Sequence, residues 1–234
     1  MKTIFSLTAL SGITLANVTQ MKSDIEKLNV NGDSLMRGLV QADMGMLNQY
    51  GCWCYFEDDH GSGRGQPVDE VDKFCKTLHD GYSCILMDTE AWEDECIPWE
   101  TDYESAMGMG GLNGMTMSEL QNECEVKNGE GTCASLTCAV EGWFVQSFFL
   151  YSVNGGTLNQ EMMHSNGFDV NDSCPIKQGE FSEKECCGQY PERFPFKTSN
   201  GVRGCCGQRT YDSQMYKCCE VDGGYRVKMV CPGQ

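Results

Sequence analysis

Apolar positions along the chain fall into three helical patterns and one cysteine-dense tail. Residues 33–47 carry Leu35, Leu39, Val40, Ala42 and Met46 near one stripe, with Asp33 or Ser34 as N-cap, which predicts an amphipathic helix. Pro67 opens a second pattern. Asp69 and Glu70 sit in its first turn, where negative charge complements the helix dipole. Val71, Phe74, Leu78, Tyr82 and Ile85 then recur every three or four residues, the mark of a core-facing stripe. A third helix is expected from Ala134 to Tyr151. Trp143, Phe144, Val145, Phe148, Phe149 and Leu150 make it apolar on most sides, hence buried. Ser118 and Gln121 give a weaker capping signal for a short helix before Cys124. The rest of 88–131 reads as irregular loop or a small hairpin, with Trp92 and Trp99 expected in the core.

The N-terminus has its own pattern. Lys2 precedes the apolar run Ile4–Leu10, and Ile13, Thr14 and Leu15 lead to the small residue Ala16. That order describes a secretory signal peptide over residues 1–16. The run is too short to span a bilayer, and no later segment approaches about 18 consecutive apolar residues, so a membrane-spanning chain is not expected.

Cysteine content changes the picture more than the apolar pattern does. Sixteen cysteines in 234 residues, with three histidines and no paired C-x-x-C knuckles, point to a disulfide framework in an oxidising, extracellular compartment. Zinc is disfavoured. Eight of them (Cys52, Cys54, Cys75, Cys84, Cys96, Cys124, Cys133 and Cys138) fall before residue 165. The other eight (Cys174, Cys186, Cys187, Cys205, Cys206, Cys218, Cys219 and Cys231) crowd the last quarter. Between the sets, Asn154-Gly155-Gly156, Asn166-Gly167 and Asn171-Asp172 read as loop. A division into 17–165 and 166–234 is expected. The net charge of −17 argues against nucleic acid and suits calcium, a mineral or a basic partner.

One constellation joins these elements. Tyr50-Gly51-Cys52-Trp53-Cys54 leads through a glycine-rich loop to Pro67-Val68-Asp69 and Asp72, then to Cys75 and His79-Asp80. This order resembles the secreted phospholipase A2 family over residues 45–85, and more loosely over 133–150. The resemblance implies two antiparallel helices linked by disulfides. Cys54 would pair with Cys75, and Cys84 with Cys133 or Cys138. It also implies a calcium-dependent ester hydrolase. His79 would be the general base and Glu141 the carboxylate orienting it. Asp80, with backbone carbonyls of Trp53, Gly61, Gly63 and Gly65, would hold calcium. The chain departs from the family pattern at two places. Phe74-Cys75 stands where the family has adjacent cysteines, and three residues rather than two separate Cys75 from His79. Either His79 is rotated by about 100° out of register or a local insertion keeps His79-Asp80 in place. The loop also carries an extra acidic run, Glu57-Asp58-Asp59-His60.

The tail repeats Cys-Cys-Gly at 186–188 and 205–207, with Cys218-Cys219 beyond. Its spacing predicts small hairpins stapled at both ends, since so short a segment buries little apolar area. It is similar to the double-cysteine repeats of galaxin-type matrix proteins. The fold expected is therefore α+β and disulfide-rich: antiparallel disulfide-linked helices plus a cysteine-stapled β-hairpin module. Asn17 and Asn171 match the N-glycosylation pattern. The leading expectation is a secreted structural glycoprotein of a fibre, coat or matrix, self-associating or joined to other extracellular proteins, on a phospholipase A2-like scaffold without efficient catalysis. The alternatives are a calcium-dependent phospholipase A2 acting on the sn-2 ester of phospholipids, and an acidic calcium- or mineral-binding matrix protein.

Overall fold

Asp69 begins a long helix as its N-cap, its carboxylate accepting the backbone N–H of Asp72. In this computed structural model, residues 46–56, 62–107, 114–176 and 182–232 are described, with 20, 21, 23 and 24. The signal peptide, Asn17, Gly61, the acidic run 57–60 and nearly all of the expected helix 33–47 lie outside the described residues.

Helix α1 spans Glu70–Asp88, beginning just after Pro67. Two sides of it are buried. Leu78, Gly81, Tyr82 and Ile85 face α3 (Cys133–Val153), and Val71, Asp72, Cys75 and His79 turn toward the 50–56 segment. The two helices approach so closely that a Cβ on Gly81 would lie 2.7 Å from Val140 Cγ1. Between them in sequence, α2 (Met117–Asn128) runs for twelve residues. Its start is a capping box of Thr116 and Glu119, two residues upstream of the Ser118–Gln121 pair expected from sequence. Both signals have the same S/T-x-x-E/Q form. Glu119 decides between them, because its carboxylate returns to the Thr116 backbone N–H at 2.8 Å. Gly129 and Gly131, both at positive φ, then turn the chain into α3.

Helix α3 contains an 18-residue window of mean hydropathy 1.2, enough by length and composition to cross a membrane, but 67% of that window is buried in the protein. It is the central helix of the core, in one cluster with Tyr50, Phe56, Leu78, Ile85 and Leu120. Trp99 packs edge-on against Tyr82, as expected. Trp92 does not reach the core: it is 41% exposed in a turn after α1.

After α3 the chain does not run free. Two short 3-10 turns, Gln160–Met162 and His164–Asn166, and the one-turn α4 (Val170–Ser173) fold back along 49–54. The Gly51 N–H donates to Met162 O, the His164 N–H to Gln49 O, and His164 Nε2 lies 2.8 Å from Gly51 O. Three antiparallel hairpins follow: β1 (Lys184–Cys187) with β2 (Phe194–Lys197), β3 (Arg203–Cys206) with β4 (Arg209–Asp212), and β5 (Lys217–Val221) with β6 (Gly224–Lys228). Asp222 and Gly223, both at positive φ, make the two-residue turn that matches strand twist in the last hairpin.

All sixteen cysteines are paired. Cys54–Cys75 joins the loop to α1, as the family pattern implies. Cys84 pairs instead with Cys186. It lies about 100° round α1 from the α3-facing stripe, toward β1. Cys133 and Cys138 face the other way and take Cys96 and Cys124. Cys52–Cys174 and Cys84–Cys186 both cross residue 165/166, so the second cysteine set is covalently tied to the first.

In the tail the staples do not close the two ends of each hairpin. Every doublet sits on the first strand of its hairpin, and the second strand has no cysteine. Successive strand residues point to opposite faces. One cysteine of a doublet therefore reaches back and its neighbour reaches forward: 84–186, 187–205, 206–218, 219–231. The result is an α+β protein whose hairpins are linked in series.

Candidate functional site

The residues singled out by the family resemblance converge around α1, but they point to different places. His79 lies on the buried face, with its ring 6.3 Å from that of Phe56 and edge-on to Tyr82 at 6.2 Å. It is 6% exposed. Asp80 follows one residue later and is turned about 100° round the helix from it.

Asp80 makes an ion pair with Lys76, one helical turn earlier. Burial pushes its carboxyl above the usual carboxylate range, against the pull of Lys76 and of Lys184. The Lys76 ammonium also sits 4.9 Å over the Trp53 ring. Trp53 in turn fills the glycine-rich loop: its Nε1–H donates to Gly65 O at 3.3 Å, and a Cβ on Gly63 would lie 2.4 Å from the indole. The Trp53 carbonyl accepts the Tyr55 N–H at 2.9 Å. Calcium needs six to eight oxygens at short range. Among the described residues, the Asp80 carboxylate is held by an ammonium, and the Trp53 and Gly65 carbonyls are hydrogen-bonded within the loop. Among the described residues, no group of three His, Cys, Asp or Glu could hold a metal.

Asp72 serves the loop rather than chemistry. It is fully buried and accepts the backbone N–H groups of Cys52 at 2.9 Å, Trp53 at 2.7 Å and Val68 at 2.9 Å. Burial raises its pKa, and those three donors oppose the rise. The approach is so tight that only glycine fits at 51, where φ is +59° and a Cβ would meet Asp72 Cγ at 2.5 Å.

Glu141 is also fully buried, on α3, and it does meet α1. The Tyr82 hydroxyl donates to Oε1 at 2.7 Å, and the Tyr103 hydroxyl lies 2.8 Å from Oε2. Tyr103 Oη is also 3.2 Å from buried Asp24. Burial pushes the Glu141 carboxyl up to about 8, partly offset by the two tyrosines and reinforced by Asp24. Tyr82 stood in the sequence as one more apolar-face residue. Nothing in the 88–131 pattern signalled Tyr103, whereas Lys76 was legible as an i, i+4 partner of Asp80.

No protein-family model matches this chain, and no curated protein matches its sequence.

Two concave surfaces lie along the outer side of the α1–α3 pair. One, of about 210 Å³, is lined by Phe74, Leu78, Val140, Trp143 and Phe144 and closed by Glu192 of the first hairpin. The other, of about 660 Å³, extends from Phe74 and Trp143 to Tyr151 and Gly155. Neither is lined by His79, Asp80 or Glu141. Asn171 is exposed on α4, with its side-chain oxygen accepting from Arg64 at 2.6 Å.

Proposed function

We propose that the protein is a secreted structural component of an extracellular fibre, coat or matrix. It would be built on a phospholipase A2-like pair of helices that no longer carries out calcium-dependent ester hydrolysis. The observation that carries this reading is the Lys76–Asp80 ion pair, which neutralises the carboxylate that the family resemblance assigns to calcium. The indole of Trp53 packed into the glycine-rich loop supports it further. So does the Glu141 carboxyl, held neutral below about pH 8 by burial, because a neutral acid does little to stabilise an imidazolium. The serial disulfides support the structural side. They hold three hairpins to the helices through covalent links and so make a stiff arm from a segment with little core.

Isothermal titration calorimetry with calcium tests the reading at its base. The native protein is expected to give no heat of stoichiometric binding at millimolar calcium. Lys76→Gln, which frees the Asp80 carboxylate, is expected to bind calcium more tightly than the native chain. Micromolar one-to-one binding by the native protein, abolished in Asp80→Asn, would overturn it.

A further inference from the structure

On the last hairpin, the face that Cys219 closes against Cys231 also carries a cluster of basic side chains. In β5–β6, Lys217 stands directly across from Lys228, and Arg226 lies two residues along on the same face. Like charges directly opposite destabilise a two-stranded ribbon. Among the described residues no ion pair involves these three side chains. Beside them, Met229 and Val230 are 66% and 64% exposed. Large exposed apolar side chains grouped with unpaired charge mark a contact surface. The arm also differs in sign from the rest of the chain. Residues 203–234 hold five Lys or Arg against three Asp or Glu, whereas 1–202 hold twelve against thirty-one.

A surface of opposite character lies on the helical body. Glu90, Glu93, Asp94 and Glu95 are all exposed in the turn that follows α1, with no cation between Asp88 and Glu104. Trp92 at the centre of this turn is exposed, and Leu86 beside it on α1 is 38% exposed. A tryptophan ringed by charge is the composition of an interface centre with a polar rim. Lys217, Arg226, Met229 and Val230 on one surface and Trp92, Glu93, Asp94 and Glu95 on the other are exposed in the same structure, so the two groups do not cover each other within one molecule.

We propose that the basic face of the β5–β6 hairpin docks on the acidic, Trp92-centred turn of a second copy of this chain. This deepens the structural reading above and rests on it. The two patches are different surfaces, so the contact is head-to-tail. It propagates as an open filament unless the rotation closes a ring. Attraction between opposite charges steers the encounter, and Trp92, Met229 and Val230 supply the buried apolar area.

Sedimentation velocity of the full-length, disulfide-intact protein tests this at about 0.05 M and about 0.5 M salt, where screening lengths differ severalfold. The native protein is expected to form species that grow with concentration at low salt and shrink at high salt. Reversing the arm (Lys217→Glu, Arg226→Glu, Lys228→Glu) is expected to weaken association by at least ~10-fold, and so is reversing the turn (Glu93→Lys, Asp94→Lys, Glu95→Lys). Mixed in equal amounts, the two reversed proteins regain complementary surfaces and are expected to co-assemble, which a misfolded variant would not do. Native assembly unaffected by either reversal would overturn the docking mode and leave the structural reading standing. A native protein that stays monomeric at every concentration and salt would overturn both.

Discussion

Glu141 shows what one buried carboxyl does to the whole protein. Burial raises its pKa from an ordinary 4.5 to about 8, so the folded state holds a proton that the unfolded chain has already released in between. Its contribution to stability is intact below about pH 4.5, falls as pH rises toward 8, and levels off above that. Asp72 and Asp80 are raised by burial as well and add to the same slope. Glu141→Gln keeps a carbonyl oxygen for Tyr82 and removes the titration. Thermal melts from about pH 5 to pH 9 are expected to show the native midpoint falling by several degrees relative to this variant, a differential of a few kcal/mol. Parallel profiles would show that Glu141 is ionised in the folded protein. At this scale the sequence was half legible. The candidate residues could be named, but their environments could not. The register question at Cys75–His79 is a case in point: His79 lies on the buried side while Asp80 is carried round to Lys76.

The helices were the readable elements, because a stripe at three- and four-residue spacing is a direct image of what a helix buries. Both long helices were expected within a few residues of their ends. Helix α2 was underestimated because half of its surface is polar. Only Leu120 and Cys124 are buried, so the apolar pattern had little to record, and the capping box had to locate it. The closest contact between α1 and α3 depends on Gly81, which leaves no pattern at all. Gly81→Ala places a Cβ 2.7 Å from Val140 Cγ1 and 2.9 Å from Cγ2. In an open helix that substitution would gain about 1 kcal/mol from propensity. Here overpacking of about 1–3 kcal/mol is expected to win. Chemical denaturation should show Gly81→Ala destabilised, and the double variant Gly81→Ala/Val140→Ala close to Val140→Ala alone. A stabilised Gly81→Ala would mean that the helices stand further apart.

For the molecule as a whole, the disulfide density and the α+β class were legible, and the connectivity was not. Spacing alone cannot say which way a cysteine points. Helix phase turned Cys84 toward β1, and strand alternation sent the two members of each doublet in opposite directions. That connectivity joins an acidic helical body to a basic hairpin arm. It also fastens the segment expected as a linker through Cys52–Cys174. The hydrogen bonds between hairpin and helix follow the same logic: Arg193 and Tyr190 both engage Asp88 at the end of α1, and Trp143 donates to Glu192. The structural function proposed above leaves the His79–Asp80 pair without a calcium-dependent hydrolytic role. The most direct test is fatty-acid release from phospholipid vesicles by the purified, disulfide-intact protein, with calcium and with a chelator. The account predicts no calcium-dependent release. Calcium-dependent release that disappears in His79→Gln would contradict it.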